Sequence, residues 1–226
     1  MKKTRTLIGF AALSLLSSSV LASSNSSSAP RTRAPGPAPD PARNAGMKTT
    51  SPQKNEEQIH SKWCWNASVR NLIYTESGGS VDARQCKIAN YAFGLNYTCK
   101  FDHTFAWKDD ANGGNWNRKP AGAAYKDNFE ILKHYGFKKL KRQLGALRFE
   151  DIRRSIDRNH GVLTHWRWKQ GGGHFVVAYG YHVRPDGSQW VMLADPWPGE
   201  GDYWRNYKAY VKSNRYTTSS TIRVVD

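Results

Sequence analysis

Apolar positions recur along the chain with two different periods, and the switch between them divides it. From Cys64, the residues Trp65, Val69, Leu72 and Ile73 follow helical spacing, and Ser77-Gly78-Gly79 ends the run. A second helix fits Val81 to Phe93 and stops at Gly94. Tyr125, Phe129, Leu132 and Tyr135 mark a third, ended by Gly136, and Phe149, Ile152 and Ile156 a fourth, ended near Gly161. Beyond Gly161 the pattern becomes short runs rich in aromatic and β-branched residues, which predict strands. These runs are Val162 to Trp168, His174 to Val183, Trp190 to Ala194, Tyr207 to Val211 and Thr221 to Val225. Arg184-Pro185-Asp186-Gly187-Ser188 supplies a turn between the second and third. Helices followed by a strand meander predict an α+β domain with an antiparallel sheet. Between the second and third helices, Asn96 to Gly122 has poor periodicity and reads as a long loop.

The N-terminal part shows neither period. Lys2, Lys3 and Arg5 precede the apolar stretch Leu7 to Leu16, and Val20-Leu21-Ala22 places compact residues around a cleavage point. This layout predicts a secretory signal peptide over residues 1–22. Its apolar core falls well short of the ~20 residues that a spanning helix needs. No later stretch reaches that length, so no transmembrane segment is expected. Residues 23–54 hold six of the ten prolines among Ser, Ala and Arg. Such a segment buries too little surface to offset its ordering entropy, so it is expected to be a disordered linker or a short propeptide. The folded domain is then 55–226. Export places it in the periplasm or outside the cell, where disulfides persist.

Charge alters this picture only slightly. The 226 residues include 34 Lys and Arg against 18 Asp and Glu, a formal charge of +16. Removing residues 1–22 leaves 31 basic residues and +13, and residues 56–226 carry 26 basic and 17 acidic, or +9. Lys138, Lys139, Lys141, Arg142 and Arg148 form a run without an acid. Nucleic-acid binding would call for aromatics interleaved with such a run. The tryptophans gather instead around Cys64, the strands and Asp195. A solvated basic face is the first expectation, an anionic envelope surface or acidic substrate the second, and no nucleic-acid partner is expected.

The chemistry starts at Cys64, which opens a predicted helix. A helix N-terminus favours the thiolate, the nucleophilic form. Gln58, six residues earlier, carries a side-chain amide that could join the Cys64 N–H in binding an oxyanion. Gly171-Gly172-Gly173-His174 opens the second strand, and Asp195-Pro196-Trp197 closes the third. Two strands joined by a tight turn run antiparallel, so the start of one lies beside the end of the other. That pairs His174, a base toward Cys64, with Asp195, which would orient its ring. Trp197 could cover the pair, and Gly172 and Gly173 would let an extended substrate approach. Each piece alone has a plainer explanation: a buried structural cysteine, a core histidine, a strand terminator, a loop. His165 on the neighbouring strand is the rival base, but it lacks the glycines and the apolar strand after it.

Gln58-Ile59-His60-Ser61-Lys62-Trp63-Cys64-Trp65-Asn66-Ala67-Ser68, Gly173-His174-Phe175-Val176-Val177 and Asp195-Pro196-Trp197 together resemble bacterial papain-like cysteine proteases. The resemblance is to the compact branch with plant-pathogen effector proteases, and more distantly to staphopain-like and bacteriocin-processing peptidases. It spans roughly residues 55 to 200. It implies a two-lobed papain-like fold, with Cys64 in a helical lobe, His174 and Asp195 in a β lobe, and substrate between them. It assigns Cys64 as nucleophile, His174 as base, Asp195 as orienting residue and Gln58 as oxyanion donor, with Trp65, Gly172, Gly173 and Trp197 along the cleft. Papain itself has Asn at the third position, and the family often has Ala where this chain has Asn66. With Cys64 reserved, Cys86 and Cys99 can form a disulfide, worth ~3 kcal/mol in the chain-entropy model. A zinc site from Cys86, Cys99 and His103 lacks a close-spaced pair and a fourth ligand. No metal or cofactor is expected.

Three functions fit these residues. The first is an exported, monomeric cysteine endopeptidase acting on protein or peptide through a covalent acyl-enzyme. The second keeps the triad for a transglutaminase or cell-wall amidase. The third is a non-catalytic binding module on the same scaffold, which would have no need of all four residues.

Overall fold

The computed structural model describes residues 46–51, 53–81, 83–94, 96 and 126–225. The expected signal peptide, most of the expected linker, nearly all of the 96–122 loop, Cys99 and His103 lie outside them. Among the described residues, five helices and seven strands follow in the order β1 (Met47–Thr49), α1 (Cys64–Glu76), α2 (Gln85–Phe93), α3 (Asn128–His134), β2 (Leu140–Leu144), α4 (Phe149–Asp157), β3 (Val162–Trp168), β4 (Gly173–Val183), β5 (Gln189–Asp195), β6 (Gly201–Asn206), α5 (Tyr207–Val211) and β7 (Tyr216–Val224). The class is α+β, as the change of period predicts.

The four helices expected before Gly161 all form, and their ends have local causes. Gly94 caps α2 in the left-handed region at φ 67°, which costs glycine little. Asp127 and Glu130 close a capping box at α3: the Asp127 carboxylate accepts from Phe129 N and Glu130 N, and Glu130 accepts from Asp127 N.

The strands form one antiparallel sheet ordered β2-β7-β3-β4-β5-β6, with β1 paired to β4. Neighbouring residues of a strand face opposite sides, and the sheet accordingly serves two cores. Leu163, Val177, Tyr179 and Ala194 pack with α1, α2 and α3, around Trp63, Leu72 and Ile131. Val162, Val176, Ala178, Val191 and Leu193 pack with α4 and α5, around Phe149, Ile152 and Tyr210.

Three departures from the sequence reading are instructive. Tyr207–Val211 is helix α5, not a strand; the Asn206 side chain accepts from Lys208 N at 3.0 Å, a cap that outweighs the strand-forming composition. The basic run at 138–142 holds the unpredicted edge strand β2, whose exposed Lys141 and Arg142 suit an edge that must not pair further. Order also begins earlier than residue 55. Met47, Lys48 and Thr49 pair with His182, Tyr181 and Gly180, beyond the stretch of β4 that β3 covers. Thr50 N continues the strand to Tyr179 O at 2.8 Å. Gly180 permits this approach, because a Cβ there would lie 2.8 Å from Thr49 Cγ2 and 2.9 Å from Met192 Cβ.

Candidate active site

Cys64 is the first residue of α1 and is buried at 8% exposure. An α-helix leaves its first N–H groups without intrahelical partners, and Cys64 contributes one of them. The chain enters α1 through Lys62, held at φ 58°, an uncommon conformation for a residue with a side chain. Trp63 follows, fully buried, and its carbonyl accepts from Asn66 N and Ala67 N. Trp63 anchors this turn in the core. Cys64 is the free cysteine among the described residues.

The β4–β5 hairpin brings His174 to Asp195, as its antiparallel register predicts. His174 Nε2 lies 2.7 Å from Asp195 Oδ1, with both residues buried. Cys64 lies close enough to His174 to act on it as a hydrogen-bond and charge partner. Asp195 is fully used. Oδ1 also accepts from Trp197 N at 3.0 Å, and Oδ2 accepts from Tyr203 Oη at 3.0 Å. Burial raises the Tyr203 pKa well above its ordinary value, so the phenol remains a donor.

These contacts set the charge on the imidazole. Burial alone would favour its neutral form. The Asp195 charge and hydrogen bond outweigh that, with a further contribution from Cys64, and raise the His174 pKa from 6.5 to about 10. Three indoles screen the ring from water. Trp168 stacks on it at 6.1 Å between centroids, Trp197 meets it edge-on at 6.1 Å, and Trp166 lies tilted at 6.1 Å.

The helix and the hairpin are also joined directly. Ser68, one turn after Cys64, donates to Phe175 O at 2.9 Å, next to His174. Gln58 N donates to Pro196 O at 2.8 Å, which ties the segment before α1 to the end of β5. The buried Gln58 side chain donates from Nε2 to His60 O at 2.8 Å and keeps a second N–H.

Gly172, Gly173, His165 and Trp65 each have local contacts. Gly172, at φ 76°, sits in the exposed β3–β4 turn, where Trp168 N donates to its carbonyl at 3.2 Å. At Gly173 a Cβ would fall 2.2 Å from His165 Nε2, so the absent side chain makes room for that ring. The rival His165 stacks on Phe175 and meets Ser219 Oγ at 2.6 Å. Trp65 packs in the helical core against Phe93. Arg205 lies over the Trp166 and Tyr203 rings, 5.4 and 5.7 Å from their centroids. Among the described residues no group of three His, Cys, Asp or Glu is placed to hold a metal ion.

A cysteine, a histidine and a carboxylate gathered at one place are the residue types that acyl transfer uses. Residues 50–223 match the Peptidase_C39 like family. The chain belongs to that family. No curated protein matches it. Among solved structures it is similar to the Pseudomonas avirulence protein AvrPphB, at 12% identity, over 76% of this chain and 94% of that one, with a TM-score of 0.31. Within this family member, sequence reasoning missed Tyr203, Ser68, Trp166 and Trp168. Only Trp166 had a readable signal, since the β3–β4 register sets it opposite His174.

Proposed function

We propose that the chain is an exported cysteine endopeptidase that cleaves peptide bonds through Cys64, His174 and Asp195. The observation that carries this reading is buried His174, hydrogen-bonded to Asp195 at 2.7 Å and neighboured by Cys64 at the start of α1. Membership of a peptidase family supports it.

At neutral pH the raised pKa leaves His174 protonated, and the thiolate is the form in which a cysteine attacks. Cys64 Sγ attacks the carbonyl carbon of the scissile bond, and the carbonyl electron pair moves onto oxygen. The Cys64 N–H and the second N–H of Gln58 Nε2 are the donors for that oxyanion. Collapse expels the amine, which takes its proton from His174 Nδ1 and leaves a thioester on Cys64. Neutral His174 then removes a proton from water, whose oxygen attacks the thioester. The acid departs, and Sγ is released as thiolate beside the reprotonated ring. Asp195 holds the imidazole in orientation through both half-reactions, and Tyr203 and Trp197 N hold Asp195.

The test uses the purified chain and unfolded casein. Cleavage that disappears in Cys64→Ala, with iodoacetamide labelling Cys64 faster than a free thiol at neutral pH, is the expected result. Intact casein together with turnover of cell-wall fragments or of a glutamine–amine pair would transfer the same residues to an amidase or transglutaminase. Labelling no faster than a free thiol would refute an activated nucleophile. Export is tested separately: the exported product should begin at Ser23.

A further inference from the structure

Asn66 stands where the resembling proteases often have Ala, and its buried amide has a specific partner. Its Nδ2 donates to Gln85 O at 2.8 Å, which joins the second turn-forming residue after Cys64 to the first residue of α2. Gln85 is itself 2% exposed, and its side chain turns the other way. Gln85 Oε1 accepts from Ile59 N at 3.1 Å, and Gln85 Nε2 donates to Glu57 O at 2.7 Å. These are the backbone groups on either side of Gln58. Nε2 also reaches Glu56 Oε1 at 3.2 Å, and Glu56 is ion-paired with the buried Arg70 of α1. The segment is thus gripped immediately before and after the oxyanion amide, by a residue whose carbonyl holds the nucleophile's helix.

We propose that Gln85 is a positioning residue that fixes the Gln58 amide relative to the Cys64 N–H, with Asn66 completing the clamp on the helix side. Every polar atom of the Gln85 side chain is committed to this segment, and none is left for substrate. The two oxyanion donors come from different pieces of chain, a loop and a helix. Their separation is not set by α1 alone. A buried amide that spans the two backbone groups flanking Gln58 sets it, because both bonds must lengthen if the loop slides. The inference rests on the peptidase reading above, since it needs an oxyanion to form.

The test separates oxyanion binding from nucleophile reactivity. Alkylation of Cys64 by iodoacetamide forms no oxyanion, whereas casein cleavage does, and a peptide aldehyde built on a casein site captures the thiolate as a tetrahedral adduct. Removing an oxyanion donor outright costs ~100- to 1000-fold in kcat, so loosening one is expected to cost about 10- to 100-fold. Gln85→Met should lower kcat and aldehyde affinity by that factor, with KM and the iodoacetamide rate within about two-fold of the unaltered protein. Asn66→Ala should show the same signature at smaller amplitude, and it keeps the test decisive if Gln85→Met does not fold. Parallel losses in alkylation and cleavage, or no loss in either variant, would overturn the clamp while leaving the peptidase reading intact. An unaltered protein that alkylates rapidly yet neither cleaves casein nor binds the aldehyde would overturn both.

Discussion

Replacing Asp195 with Asn removes one charge and little else. The Asn oxygen can still accept from His174 Nε2, and its NH2 can donate to the Tyr203 hydroxyl, so the shape of the site is kept. What changes is the charge that opposes burial. A neighbouring opposite charge typically moves a titration by about 1–3 pH units, so the alkaline limb of kcat/KM, near pH 10 in the unaltered protein, should fall by that amount. Activity near pH 6 should survive, because His174 is still protonated there. The same change alters stability. The folded-state pKa of His174 lies above its ordinary value, so its contribution is complete below pH 6.5 and disappears as pH rises through about 10. Urea unfolding from pH 6 to 10, compared between the two proteins so that other titrations cancel, should show a steeper alkaline loss in the unaltered one. Two alkaline limbs at the same pH, or two parallel stability curves, would refute the account of His174 as an imidazolium held by Asp195.

The remaining expectations address the supports of the site and the fold. Ser68→Ala removes the bond between α1 and Phe175, a loss of about 0.5–1.5 kcal/mol in urea unfolding with slower Cys64 alkylation. Tyr203→Phe leaves one Asp195 oxygen without its donor and should cost about 1.5–3 kcal/mol, with the alkylation pH profile shifted. Gly180→Ala pushes a methyl into Thr49 and Met192 and should cost about 1–3 kcal/mol, read as faster proteolysis ahead of residue 50. Mass spectrometry after alkylation without reductant should count one modified thiol at Cys64, and a linked Cys86–Cys99 peptide would establish the proposed disulfide.

Local signals made the proposed nucleophile legible. A run of apolar residues at helical spacing begins at Cys64, and the helix starts there. The pairing of His174 with Asp195, though 21 positions apart in sequence, was equally readable, because a turn at 184–188 leaves an antiparallel hairpin few choices of register. Strand type was less secure where composition and local chemistry disagreed. Tyr207–Val211 has the residues of a strand, but Asn206 offers the cap of a helix, and five residues carry too little periodicity to decide. The edge strand β2 was hidden by its function: the Lys and Arg that blunt its free edge are the residues that made it look like a solvated charge run.

What no period could reveal is the set of contacts between elements. Tyr203 reaches Asp195 only because β6 pairs with β5, and Ser68 reaches Phe175 only because α1 lies on β4. Cys64, His174 and the Gln58 amide come from a helix end, a strand and a loop, and no single element holds any two of them. Their geometry therefore depends on a few buried bonds that cross between elements: Ser68 to Phe175, Gln58 N to Pro196, and Gln85 to both sides of Gln58. Each contributes only about 1 kcal/mol to folding, within reach of a single substitution. The displacement that follows the loss of one is felt at the reacting atoms, where a shift of ~1 Å can cost a hundred-fold in rate. Substitutions at Ser68 and Gln85 should accordingly lower turnover far more than their effect on stability would suggest.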